Sequence, residues 1–94
     1  MNRTYPKQKW IYVDVDGTLT KNTDNVLKWL REQKESGAKL VLWSSAGQDH
    51  SRQVAMRYDC VNLFEAILSK PGAIVDDVGW SWIKYTSVIT HIAR

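Results

Sequence analysis

The sequence predicts an α/β domain built on a parallel sheet. Three observations carry that expectation. Apolar runs of strand length alternate with segments of helical period, a glycine stands where the first helix should stop, and three of the apolar runs end on a hydroxyl or a carboxylate. With 94 residues, the chain has room for one such domain over residues 1–94, since a core of this size buries only about two thirds of its unfolded surface.

Residues 1–8 read as a short polar leader. Trp10 to Val15 (WIYVDV) is a near-continuous apolar, β-branched run, the pattern of a central strand covered on both faces. In TDNVLKWLREQKESG, Thr23 or Asp24 is suited to cap a helix, Val26, Leu27 and Leu30 recur on one face, and Gly37 supplies the stop. The unit then repeats. AKLVLWSS reads as a second buried strand, Ser45 to Gly47 as a turn, and QDHSRQVAMRYD as a second helix with Val54, Ala55 and Tyr58 at helical spacing. EAILS is a weaker third strand, GAIVDD a short apolar run ending on acids, and residues 84–94, with YTSVITHI, a last strand or an extended tail. Strands alternating with helices imply right-handed connections and a three-layer, Rossmann-like sheet, with the ligand site at the carboxyl ends of the strands.

Composition narrows the setting. Apolar residues at 44% and charged residues at 24% are ordinary globular usage. The single cysteine, Cys60, excludes an internal disulfide, and without a Cys/His cluster a structural zinc site is not expected. A reduced, cytoplasmic setting follows. The N-terminal MNRTYPKQKW lacks the apolar core of a signal peptide, and no run approaches the roughly 20 apolar residues of a membrane span, so no membrane partner is expected. Net charge is +3. If Asp14, Asp16, Asp76 and Asp77 share one pocket with Lys70, the rest of the surface is more basic still and suited to attract polyanions.

Asp14, Ser44 and Asp76 each sit where an apolar run stops, so a parallel sheet brings them to one edge. Packed carboxylates repel one another and are costly to desolvate, which calls for a cation. Asp14, Asp16, Asp76 and Asp77 offer hard oxygen donors with no nearby His or Cys ligand, which favours Mg²⁺. A magnesium ion beside acids is commonly completed by substrate phosphate, so the expected partner is a phosphorylated substrate.

At this point a family resemblance enters. DVDGT, Asp14 to Thr18, resembles the first motif of the haloacid dehalogenase superfamily, and Ser44 in LVLWS, Lys70 in SKP and the acidic pair in IVDD resemble its later motifs, in the same order. The resemblance spans roughly residues 10 to 80. It implies a minimal haloacid-dehalogenase-like fold and a phosphoric monoester hydrolase. Asp14 would be the nucleophile that forms an aspartyl phosphate, and Asp16 the acid that protonates the leaving oxygen and then deprotonates water. Asp16 would also ligate the metal through its backbone carbonyl. Ser44 would hydrogen-bond a phosphoryl oxygen, and Lys70 would neutralise charge on Asp14 and the phosphate. Gly17, Thr18 and Ser45 are the neighbouring positions expected to meet the phosphate, Gly17 by permitting the tight turn. Asp76 and Asp77 would hold Mg²⁺, with Asp76 preferred for direct contact. The acid at Asp16 places the chain on the phosphatase side, because halide leaves without a proton.

Only KNTD separates the DGTLT stretch from the first helix, and the interval from Ser44 to Lys70 holds a helix and a weak strand, so neither place houses a cap domain. An open pocket suits a large substrate such as a nucleotide or a nucleic-acid end, or a homo-oligomer whose second subunit covers the site. A non-catalytic phosphate or nucleic-acid binding module is the alternative from another class, and a phosphotransferase would use the same residues. Trp43, Trp80 and Trp82 read first as packing residues and second as a stacking platform for a base. His50 reads first as a surface polar residue and second as a substrate contact.

Overall fold

The computed structural model describes residues 9–92. The leader at 1–8 therefore lies outside the described residues. Three parallel strands, β1 (Trp10–Asp14), β2 (Lys39–Ser44) and β3 (Phe64–Ser69), form one sheet in the order β1-β2-β3. Helix α1 (Thr23–Glu35) connects the first two strands and α2 (Gln48–Arg57) the last two. The alternation read from the sequence thus yields a small parallel α/β sheet with helices packed on it, compatible with a Rossmann-like fold.

Register explains where the core lies. Val13 pairs with Leu42, and Leu42 with Ile67, so these side chains form one row across the sheet. That row packs with Val26, Leu27 and Leu30 of α1 and Val54 and Ala55 of α2 in a single buried cluster. In a sheet of sequential order, right-handed crossovers place both helices on the same face. The opposite face carries Trp10 and Tyr12, about half exposed, then Trp43 and Leu68, and only Val41 there is buried. Tyr12 and Trp43 meet edge to face with centroids 4.7 Å apart.

Two expectations are corrected here. The described residues build two layers rather than three, and β1 is an edge strand with one covered face rather than a central strand covered on both. The order of strands, not their composition, decides this, because β2 takes the middle position.

Helix α1 begins at Thr23, so the cap position falls to Asn22, which adopts a left-handed conformation (φ 53°, ψ 46°) and makes no side-chain capping bond. This replaces the expected cap at Thr23 or Asp24. Gly37 (φ 101°) ends the helix as expected, with its N–H donating to the Lys34 carbonyl at 3.0 Å.

GAIVDD does not form a strand. Pro71 and Gly72 precede a run of only three apolar residues, and Asp76 Oδ1 accepts from the Val78 N–H at 2.9 Å, which closes a turn instead. Ile74, Val75 and Val78 remain exposed. A short 3₁₀ helix follows at Gly79–Tyr85, and residues 86–92 of the proposed last strand are irregular. Val88 and Ile89 are exposed, and Ile92 packs against the core from this irregular segment. Between β1 and α1, and between β2 and β3, there is no additional domain. Among the described residues no helix is long and apolar enough to cross a membrane.

Candidate active site

The chain leaves β1 at Asp14 through a five-residue loop, Val15–Leu19. Asp16 (φ −75°, ψ 127°) and Gly17 (φ 80°, ψ −3°) have the dihedrals of the two central residues of a type II turn, whose second position favours glycine. Val15 and Leu19 are fully buried and anchor the loop at both ends. Thr20 secures it from above: its Oγ1 accepts from the Gly17 N–H at 3.1 Å, and its N–H donates to the Val15 carbonyl at 3.1 Å. The apolar positions of DVDGTLT thus pin a turn whose polar positions stay accessible.

Both oxygens of Asp14 are engaged. Lys70 Nζ lies 3.0 Å from Oδ1, and Thr18 Oγ1 donates to Oδ2 at 3.2 Å. Each partner of the ion pair is only about one third exposed. Lys70 follows β3 directly, and its backbone N–H donates to the Ser44 carbonyl at 2.9 Å, so the end of the middle strand carries the residue toward Asp14. Ser44 is buried, with Oγ accepting from the Ala46 N–H at 3.0 Å, and Ser45 is exposed in the turn that follows. The Ser44 carbonyl also accepts from the Gly47 N–H at 3.1 Å, which fixes the entry to α2.

Asp16 does not point to Lys70. Its carboxylate meets His50 Nε2, which stands 3.1 Å from both Oδ1 and Oδ2. From its sequence position His50 is first a surface polar residue, and nothing local to it signals this contact across 34 positions. The available hint is topological, since the first turn of α2 must begin at the carboxyl edge of β2.

The structure therefore brings Asp14, Thr18, Lys70 and Ser44 together, with Asp16 and His50 as an adjoining pair. It does not bring the second acidic pair into a ligand group with them: among the described residues no three His, Cys, Asp or Glu side chains are grouped to hold a metal ion. Asp76 and Asp77 are exposed, and Asp76 lines a shallow depression with Ile74, Gly79, Trp80 and Trp82. Trp80 and Trp82 lie side by side there, centroids 6.0 Å apart and tilted by 34°. Trp43 belongs with Tyr12 on the open sheet face, so the three tryptophans do not form one platform.

The donor chemistry at Asp14 suits a hard cation. Mg²⁺ takes only one or two carboxylates and keeps several waters, but a cation at Asp14 would compete with Lys70 on Oδ1 and Thr18 on Oδ2. No protein-family model, no curated protein and no solved structure matches the chain.

Proposed function

We propose that the chain is a Mg²⁺-dependent phosphatase of the haloacid dehalogenase type, without a cap, hydrolysing a phosphate monoester through Asp14. The observation that carries this reading is the Asp14 carboxylate at a strand terminus, held between the Lys70 ammonium at 3.0 Å and the Thr18 hydroxyl at 3.2 Å. A carboxylate fixed in orientation beside a cation is prepared to attack an anionic phosphoryl group that would otherwise be repelled.

In this mechanism an Asp14 oxygen attacks phosphorus and the bond to the ester oxygen breaks. Asp16 gives its proton to that departing oxygen. A water then loses a proton to Asp16 and attacks phosphorus, which releases inorganic phosphate and restores the Asp14 carboxylate. Lys70 offsets the negative charge that gathers around the phosphoryl oxygens, and the Thr18 bond keeps Asp14 from rotating away. Asp14 and the Asp16 carbonyl would hold Mg²⁺, joined by Asp76 or Asp77 if the segment after β3 folds toward the site. When bound, the ion supplies electrophilic activation of the phosphoryl group.

The absence of any inserted domain over the strand ends favours a substrate that is large, such as a nucleotide or a phosphorylated nucleic-acid end, or a second subunit covering the site. The test is hydrolysis of an aryl phosphate by the purified protein with and without magnesium, alongside Asp14→Asn. Turnover that needs magnesium and vanishes in the variant supports the reading. Salt-sensitive oligonucleotide binding that persists in Asp14→Asn, with no ester hydrolysed by either protein, would replace it with the binding-module alternative.

A further inference from the structure

His50 and Asp16 form the other organised polar contact at this edge of the sheet. Asp16 is on a turn and its side chain is 62% exposed, so water alone would leave it free to rotate. Among the described residues, His50 is the one side chain hydrogen-bonded to its carboxylate. His50 itself is carried by a fixed element. On one side, Gln48 Nε2 donates to the Ile67 carbonyl at 3.0 Å. On the other, the fully buried Ser51 has its Oγ 3.1 Å from the carbonyls of Gly47 and Leu68. The first turn of α2 is thereby tied to β3, and His50 reaches from it across the site to the β1 loop.

We propose that His50 is the positioning residue for Asp16, holding the general acid of the reaction at the angle from which it reaches the leaving oxygen. The proposal rests on the phosphatase reading above. Nε2 is equidistant from the two carboxylate oxygens, so in the tautomer that carries its hydrogen on Nε2 one N–H serves either. With one oxygen accepting from His50, the other is left to carry the proton. The proton passes from Asp16 to the leaving oxygen and is replaced from the attacking water, and His50 keeps its own hydrogen throughout. A positioned acid contributes about 10²–10⁴-fold only where the leaving group needs a proton, so loss of positioning must show in the dependence on leaving group.

The experiment measures kcat/KM in magnesium for wild type, His50→Ala and His50→Gln on a series running from an alkyl phosphate to 2,4-dinitrophenyl phosphate, with thermal unfolding of each protein. The expected result is a loss of about tenfold or more for His50→Ala on the alkyl ester, less than about twofold on the dinitrophenyl ester, and partial recovery in His50→Gln through its amide N–H. An equal loss along the whole series, or no loss on the alkyl ester, overturns the positioning role while leaving the phosphatase reading intact. A wild-type protein that hydrolyses no ester in the series overturns both.

Discussion

Lys70 Nζ stands 3.0 Å from Asp14 Oδ1, and this contact joins the ends of two strands that are not neighbours. It crosses β2, whose terminal carbonyl at Ser44 accepts the Lys70 N–H at 2.9 Å. The middle strand therefore sets the distance between cation and carboxylate. Surface pairs of this exposure contribute little to stability, about 0–1 kcal/mol. Lys70→Met should leave the melting temperature within a few degrees of wild type yet lower aryl phosphate kcat about 100-fold or more. Thermal unfolding and steady-state kinetics on one preparation check both halves of this prediction.

Much of that arrangement was legible in the sequence because it follows from where apolar runs stop. The ends of WIYVD and LVLWS mark the carboxyl edge and Asp14 and Ser44 stand there, whereas Asp76, expected beside them, follows no strand, and Lys70 at the end of β3 is reached through the family resemblance rather than from a run's end. Two parts were not legible, for different reasons. Trp10 and Tyr12 are apolar enough to read as buried, so the true alternation of Ile11 and Val13 inward against Trp10 and Tyr12 outward looked like a continuous core strand. Asp76 and Asp77 follow an apolar run that resembles a strand, but a strand needs a partner's backbone, and no local pattern reveals whether one is offered.

The two-layer arrangement predicts unequal costs on the two sheet faces. Leu42, fully buried among residues of both helices, should cost about 2–5 kcal/mol on truncation to Ala, because the helices cannot close the cavity. Leu68 projects from the other face at 37% exposure and should cost less than about 1 kcal/mol. Urea unfolding of Leu42→Ala and Leu68→Ala gives the comparison, and equal costs would mean that the second face is covered in solution.

Cys60 carries a pH prediction. Burial raises its thiol above the ordinary value, with Arg31 pulling it back and Asp59 adding to the rise. A group whose pKa is higher folded than unfolded contributes its full stability below the unfolded value, about 8.5, and loses it as pH rises through the folded value. The urea midpoint of wild type should therefore fall more steeply as pH rises above about 8.5 than that of Cys60→Ala. In native protein at pH 8 the thiol should also resist a disulfide reagent until denaturant is added, because a buried neutral thiol is a poor nucleophile.

Gly17 tests whether the loop after β1 is held for chemistry or merely tolerated. Its φ of 80° is one that side-chain-bearing residues rarely adopt, while a Cβ added there would meet nothing within 4 Å. The cost of Gly17→Ala is thus conformational rather than steric, about 1–2 kcal/mol if the turn keeps its shape. If it relaxes instead, the Gly17 N–H leaves Thr20, and the two carboxylates that precede it, Asp14 and Asp16, move relative to Lys70 and His50. The expected outcome is a modest drop in urea midpoint with a loss of kcat of about tenfold or more, since an error of about 1 Å at the reacting centre is far more damaging to rate than to stability. Gly17→Asn, which tolerates the left-handed region, should recover most of the stability. Its recovery of activity then reports whether backbone shape alone was at fault.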